Sequence, residues 1–270
     1  MQPIAPAPDR WQKNARPPAV VHVDDQRETA ATKGKERDMS GEITESRAIE
    51  ALLFDLDGTL VDSLPDLAAS LNILVAEEGA APLSLNEVKG MIGHGIAKLV
   101  ERASRARGLE TAGEALAARV ARMMEIYDGH LTVGTRPLPG ALEALARAAD
   151  KGLKLAVVTN KPEAMSRRIL SHFGMDAHLG AVVGGDTCAT RKPRPEMVVH
   201  AAVLLGVATR HCVMIGDSPA DVGAAQAAGI PAVVLSGGYH AGDAEAMGAD
   251  ALIDGYAELD AALDGLRAGR

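Results

Sequence analysis

The sequence predicts an α/β protein, with a parallel sheet covered by helices on both faces and an all-helical cap inserted after the first strand. Three observations predict it. From residue 137 onward, short apolar runs alternate with helical segments that stop at glycine. The apolar runs are continuous rather than alternating, as strands buried on both faces require. Between the first apolar run and residue 136, the pattern is helical throughout.

Residues 49–54 form the first buried strand. A helix follows, with Leu64, Leu67, Leu71, Leu74 and Val75 at helical spacing, and 84–90, 95–106 and 112–130 are also helical. Pro137 and Pro139 punctuate the chain, and Pro139-Gly140 opens a helix that runs to Asp150. Then come a strand at 153–158, a helix at 163–173 ending at Gly174, and a strand at 181–183. A helix at 195–205 ends at Gly206, a strand occupies 213–215, and a helix at 219–228 ends at Gly229. Strands at 232–235 and 251–253 and a helix near 256–266 close the chain. The expected domains are a core of 47–64 and 137–270 and a cap of 65–136. Residues 1–46, with Pro3, Pro6, Pro8, Pro17 and Pro18, mixed charges and few large apolar groups, are expected to be a disordered tail. Met39 is the expected natural start, which makes the upstream residues an extension.

At 270 residues and 47% hydrophobic, the chain can bury a sizeable core, alone or with a smaller domain. A net charge of −8 without a basic stripe argues against a nucleic-acid partner, and 2% aromatic content argues against base-stacking platforms. Cys188 and Cys212 fit neither a disulfide framework nor a zinc spacing, and two free thiols suit a reducing compartment. No apolar run approaches the ~20 residues of a membrane span, and no secretory apolar segment opens the chain. The expectation is a cytoplasmic protein without a membrane partner, monomeric or homodimeric.

In open parallel sheets, ligands bind outside the carboxyl ends of the strands. Asp55, Thr159 and Asp217 each fall at such an end. Asp55 and Asp57 are two apart, so in extended chain both carboxylates face one side. One can attack phosphorus while the other moves protons. Gly58 permits a sharp turn, and amides there can hold phosphate oxygens. A capped turn or a calcium loop also uses Asp-x-Asp-Gly, but the later acidic residues of a calcium loop are missing. Thr159-Asn160, between strand and helix, can bind an anion or cap the helix. Lys192, before Pro193, is either a solvated lysine or a neutraliser of gathered negative charge. Ser218, Pro219 and Asp221 make a capping box with a proline at the first helical position, which leaves Asp217 unexplained. A carboxylate there, opposite Asp55, suits a hard cation such as Mg2+.

The segments Asp55-Leu56-Asp57-Gly58-Thr59-Leu60, Thr159, Lys192 and Gly216-Asp217-Ser218-Pro219-Ala220-Asp221 match the four motifs of the haloacid dehalogenase superfamily, which the chain resembles from Ile49 to Leu266. The resemblance implies a Rossmann-like core with an inserted helical cap. It implies Asp55 as nucleophile, Asp57 as general acid/base, Thr159 and Asn160 as phosphate ligands, and Lys192 as the group that steadies nucleophile and phosphate. It also implies Mg2+ between Asp55, the backbone carbonyl of Asp57 and Asp217, with Asp221 nearby. True dehalogenases of the superfamily lack an acid where Asp57 stands, so the implied reaction is phosphoryl transfer.

Within the superfamily, the chain most resembles phosphoglycolate phosphatases, on the stretches Leu60-Val61-Asp62-Ser63, Val158-Thr159-Asn160-Lys161-Pro162, Gly184-Gly185-Asp186-Thr187 and Ser236-Gly237-Gly238-Tyr239. This implies a small phosphorylated metabolite as partner, with Mg2+ as cofactor. In the cap, Gly93-His94-Gly95 is either a plain helix–helix turn or a contact for the distal carboxylate of the substrate. Sugar-phosphate phosphatases, including one for N-acetylmuramic acid 6-phosphate, share many of these stretches, and a phosphomutase built on the same core and cap is a further alternative. Arg194 departs from the family pattern, which often has a small residue or histidine there. A non-catalytic phosphate-binding protein would have lost one of these residues, and none is lost. The remaining histidines, His130, His172, His178, His200, His211 and His240, show no metal spacing, and Met123-Met124 reads as core or closure surface.

Overall fold

The computed structural model describes residues 48–240 and 242–268. The expectations for residues 1–46, including the start at Met39, lie outside them. Six parallel strands form one sheet: β1 (Ala51–Phe54), β4 (Lys154–Val158), β5 (Ala181–Val183), β6 (Cys212–Gly216), β7 (Ala232–Leu235) and β8 (Ala251–Ile253). Their order is β5-β4-β1-β6-β7-β8, so the first strand is central and the order reverses beside it. Phe54 sits level with Val157 on one side and Ile215 on the other, which brings the ends of three strands together.

Alternate strand residues serve opposite faces. Leu52, Phe54, Leu155, Val157, Val213 and Ile215 join an apolar cluster with α5 (Ala141–Asp150), α6 (Glu163–His172) and α9 (Leu259–Arg267). Leu53, Ala156, Val158 and Met214 pack on the other face against α7 (Glu196–Leu205) and α8 (Pro219–Ala228). This two-sided burial is why the strands read as unbroken apolar runs.

Four helices form the insertion: α1 (Leu64–Glu77), α2 (Leu85–Lys89), α3 (Ile96–Ala106) and α4 (Gly113–Asp128). Leu71, Val88, Val100, Met123 and Tyr127 bury their faces in the same apolar cluster that backs the sheet. The Rossmann-like core with an all-helical cap is therefore the observed fold.

Two differences from expectation have local causes. The cap is joined to the core by a short antiparallel ribbon, β2 (Val61–Asp62) with β3 (Arg136–Pro137). Two residues a side, one of them proline, leave no periodic pattern to read. The last helix starts at Leu259 rather than near residue 256. Tyr256 is instead buried with its hydroxyl donating to the Thr59 carbonyl at 2.9 Å, which holds the preceding turn outside the helix.

Candidate active site

Asp55 follows β1, Thr159 follows β4 and Asp217 follows β6, so the strand order places Asp55 between the other two. Lys192 reaches in from the loop before α7. It is 3% exposed, and its ammonium lies 2.9 Å from Asp55 Oδ1 and 2.5 Å from Asp221 Oδ1. The solvated-lysine alternative is thereby closed. Burial alone would depress the Lys192 ammonium, but the charges of Asp221 and Asp55 outweigh it and hold it above the usual lysine range.

Asp221 does two things at once. Its Oδ2 accepts from the Ser218 amide at 3.0 Å and hydroxyl at 2.6 Å, closing the expected box at the start of α8, while Oδ1 takes Lys192. Asp217 accepts from the Thr59 hydroxyl at 3.2 Å and from the Tyr239 amide at 2.6 Å. Carboxylate oxygens of Asp55, Asp217 and Asp221 lie within 4.8 Å of one another, a group that could hold a metal ion. Burial pushes the Asp55 carboxyl up to about 6, with Asp221 and Asp57 adding to the push and Lys192 opposing it. Burial, then Asp221 and Asp55, raise Asp217 well above the ordinary carboxylate range. Three crowded carboxylates share one ammonium, so the donor set suits a hard cation with oxygen ligands.

Asp57 stands apart from this cluster. Its Oδ1 accepts from Ser63 Oγ at 2.6 Å, and Lys161 Nζ lies 2.8 and 2.9 Å from its two oxygens. Asp55, Asp57, Thr159, Lys161 and Asp217 line a cavity of about 230 Å3 that is closed from the cap side by Leu67, Ile92, Gly93, His94, Leu99 and Arg102. Partial burial, with Arg102 and Lys98, holds the His94 imidazole below its usual range.

The family profile of haloacid dehalogenase-like hydrolases matches residues 52–235. The chain belongs to that family. The hydrolase is similar to a phosphoglycolate phosphatase of Rhodospirillum rubrum, at 44% identity over 214 residues, covering 78% of this chain and 89% of the relative. Among solved structures it is similar to a predicted phosphoglycolate phosphatase from Haemophilus somnus 129pt, with TM-score 0.73 and 31% identity over 79% of this chain and 97% of that one. It is also similar to CbbY from Rhodobacter sphaeroides in complex with phosphate, with TM-score 0.67 and 28% identity over 80% of this chain and 99% of that one.

Several residues of the hydrolase stand differently from expectation. α6 starts at Glu163 with Pro162 at its cap, so Thr159 and Asn160 do not cap it. The Asn160 side chain is committed to backbone groups, which leaves its own N–H for the expected contact with phosphate. Its amide group donates to the carbonyls of Gly93 and Lys192, each at 3.0 Å, and its oxygen accepts from the Lys192 amide at 3.0 Å. It therefore ties the cap turn to the lysine segment. Arg194 is exposed, so its charge faces solvent. His240, read as bland, lines the cavity with Nδ1 3.1 Å from the Asp217 carbonyl.

Sequence reasoning passed over Lys161, Tyr127 and Tyr239 as site residues. Lys161 and Tyr239 lie in stretches quoted for the resemblance, which was their one signal. Tyr239 has its hydroxyl on Asp62 Oδ1 at 2.5 Å and accepts from the Leu64 amide at 3.0 Å, so it fastens the Asp217 side of the site to the start of the cap.

Proposed function

We propose that this hydrolase is a Mg2+-dependent phosphatase that converts a small phosphomonoester, 2-phosphoglycolate, to glycolate through an aspartyl-phosphate. The observation that carries the reading is the pair of carboxylates in one small cavity with separate partners. Asp55 faces Lys192 at a strand end, and Asp57 faces Ser63 and Lys161.

An Asp55 oxygen attacks phosphorus, and the P–O ester bond breaks with its electron pair on the ester oxygen, which takes a proton from Asp57. A water oxygen then attacks the phosphorus of the aspartyl-phosphate and gives its proton to Asp57. The bond from phosphorus to Asp55 breaks, which releases inorganic phosphate and restores the carboxylate. Lys192 offsets charge on nucleophile and phosphoryl oxygens, and Thr159 offers its hydroxyl to the phosphate. Mg2+, held by Asp55, the Asp57 carbonyl and Asp217 beside Asp221, would supply positive charge where two anions must meet. Asn160 fixes the Lys192 segment through its side chain and would offer its backbone N–H to the phosphate, and Gly93 and His94, which line the cavity from the cap, would meet the distal carboxylate. A cavity of about 230 Å3 supports a substrate of few atoms. Among the described residues no helix is long and apolar enough to cross a membrane, and Cys188 and Cys212 are free thiols. Both observations support a cytoplasmic setting.

Asp55→Asn is expected to lower phosphate release from 2-phosphoglycolate by a factor on the order of 10^4 or more, with the fold intact by circular dichroism. Near-wild-type turnover would remove the nucleophile assignment. kcat/KM across 2-phosphoglycolate, hexose phosphates and N-acetylmuramic acid 6-phosphate tests the substrate. A strong preference outside the first replaces the substrate and leaves the chemistry standing.

A further inference from the structure

Lys161 has no part in the mechanism above, yet its ammonium is enclosed, with the residue 4% exposed. It contacts both Asp57 oxygens, at 2.8 and 2.9 Å, and the Tyr127 hydroxyl at 2.7 Å, and lies 4.7 Å from the centre of the Tyr127 ring. Asp57 and Lys161 belong to the core, whereas Tyr127 is near the end of α4 in the cap. Packing alone would bury the tyrosine ring without aiming its hydroxyl at a core ammonium. A buried ammonium also needs a partner for each of its hydrogens, so loss of the hydroxyl loosens the whole group.

We propose that Lys161, steadied from the cap by Tyr127, is the residue that positions Asp57 for proton transfer. The geometry of the proton-handling carboxylate then depends on how the cap is seated on the core. Asp57 Oδ1 is shared by Ser63 and Lys161, whereas Oδ2 has Lys161 as its one partner among the described residues. Oδ2 is the oxygen assigned to the moving proton. The inference rests on the reading of Asp57 as acid/base.

The test measures kcat and KM for 2-phosphoglycolate, and the pre-steady-state burst with 4-nitrophenyl phosphate, in full-length protein with Mg2+. The variants are Lys161→Met, Lys161→Arg, Tyr127→Phe, the Lys161→Met/Tyr127→Phe pair, and Asp57→Asn. Lys161→Met is expected to lower kcat by about 10^2-fold or more at nearly unchanged KM, with partial recovery in Lys161→Arg. Tyr127→Phe, which keeps the ring and its packing, is expected to cost about 10-fold. The pair should be no worse than Lys161→Met alone. 4-Nitrophenolate leaves without a proton, so its burst should persist at the wild-type rate while steady-state turnover slows.

A raised KM with unchanged kcat would make Lys161 a substrate ligand and overturn the proposal. Equal loss of burst and turnover, or additive losses in the pair, would also overturn it. If Asp57→Asn keeps wild-type kcat, the acid/base reading itself fails. If Asp57→Asn is inactive while the Lys161 and Tyr127 variants behave as wild type, the positioning role alone fails.

Discussion

Gly58 holds φ at +84°, and a Cβ built there would lie 2.4 Å from Asp217 Oδ2. Any side chain must strain the backbone and displace a carboxylate of the acidic cluster together. Gly58→Ala is therefore expected to lose about 1–3 kcal/mol of stability in denaturant unfolding and to raise the Mg2+ concentration needed for half activity. Asp55, Thr159 and Asp217 were legible in the sequence because strand ends can be read from apolar runs, and the fold logic then brings them together. Partners were less legible. Lys161 and Asp57 lie 104 residues apart, and no local pattern says that one lysine is buried on a carboxylate. Asn160 shows the reverse: its place beside the site was legible, but its amide is spent on two backbone segments that folding alone brings near it.

At the scale of elements, α2 is a five-residue helix whose start depends on Ser84 and Glu87. Glu87 accepts from the Ser84 amide and hydroxyl, each at 2.8 Å, and pairs with Arg107 at 3.0 Å. The Ser84 amide and hydroxyl, then Arg107, hold its carboxyl at about 2, below its ordinary 4.5. A depressed carboxylate stabilises the fold fully above about pH 4.5, and its contribution disappears as pH falls through about 2. The protection factors of α2 amides, exchange rates corrected for the intrinsic pH dependence, should therefore fall as pH drops through that window in the wild type. Glu87→Gln should already show low protection above that window and change less with acid; identical protection profiles would deny the capping box this role. Most helices and strands of the core were legible to within a few residues, since burial on both sheet faces and glycine stops write directly into the sequence. The two-residue strands β2 and β3 were not, because an element that short exists only through its partner.

For the whole molecule, the sheet separates two apolar layers, and Leu53, fully buried, belongs to the layer under α7 and α8. Leu53→Ala should cost about 2–5 kcal/mol by equilibrium unfolding. A cation that binds the acidic cluster only in the native state should raise Tm as its concentration rises, with about 2.7 kcal/mol gained at a hundredfold excess over Kd. Asp217→Asn should abolish that rise, and an unchanged Mg2+ response would place the cation elsewhere. The division into sheet and helical insertion was legible because strand-like runs are absent between residues 63 and 135.

The ribbon that joins the insertion to the sheet pairs Val61 with Pro137 and Asp62 with Arg136. The outgoing and returning chains thus pass through a doorway about 5 Å wide, the spacing of paired strands. Any helical cassette whose two ends meet at that spacing can be spliced in without altering a single strand pairing of the sheet. Such a doorway lets evolution, or an engineer, exchange the helical side of the cavity while Asp55, Thr159 and Asp217 stay at their strand ends.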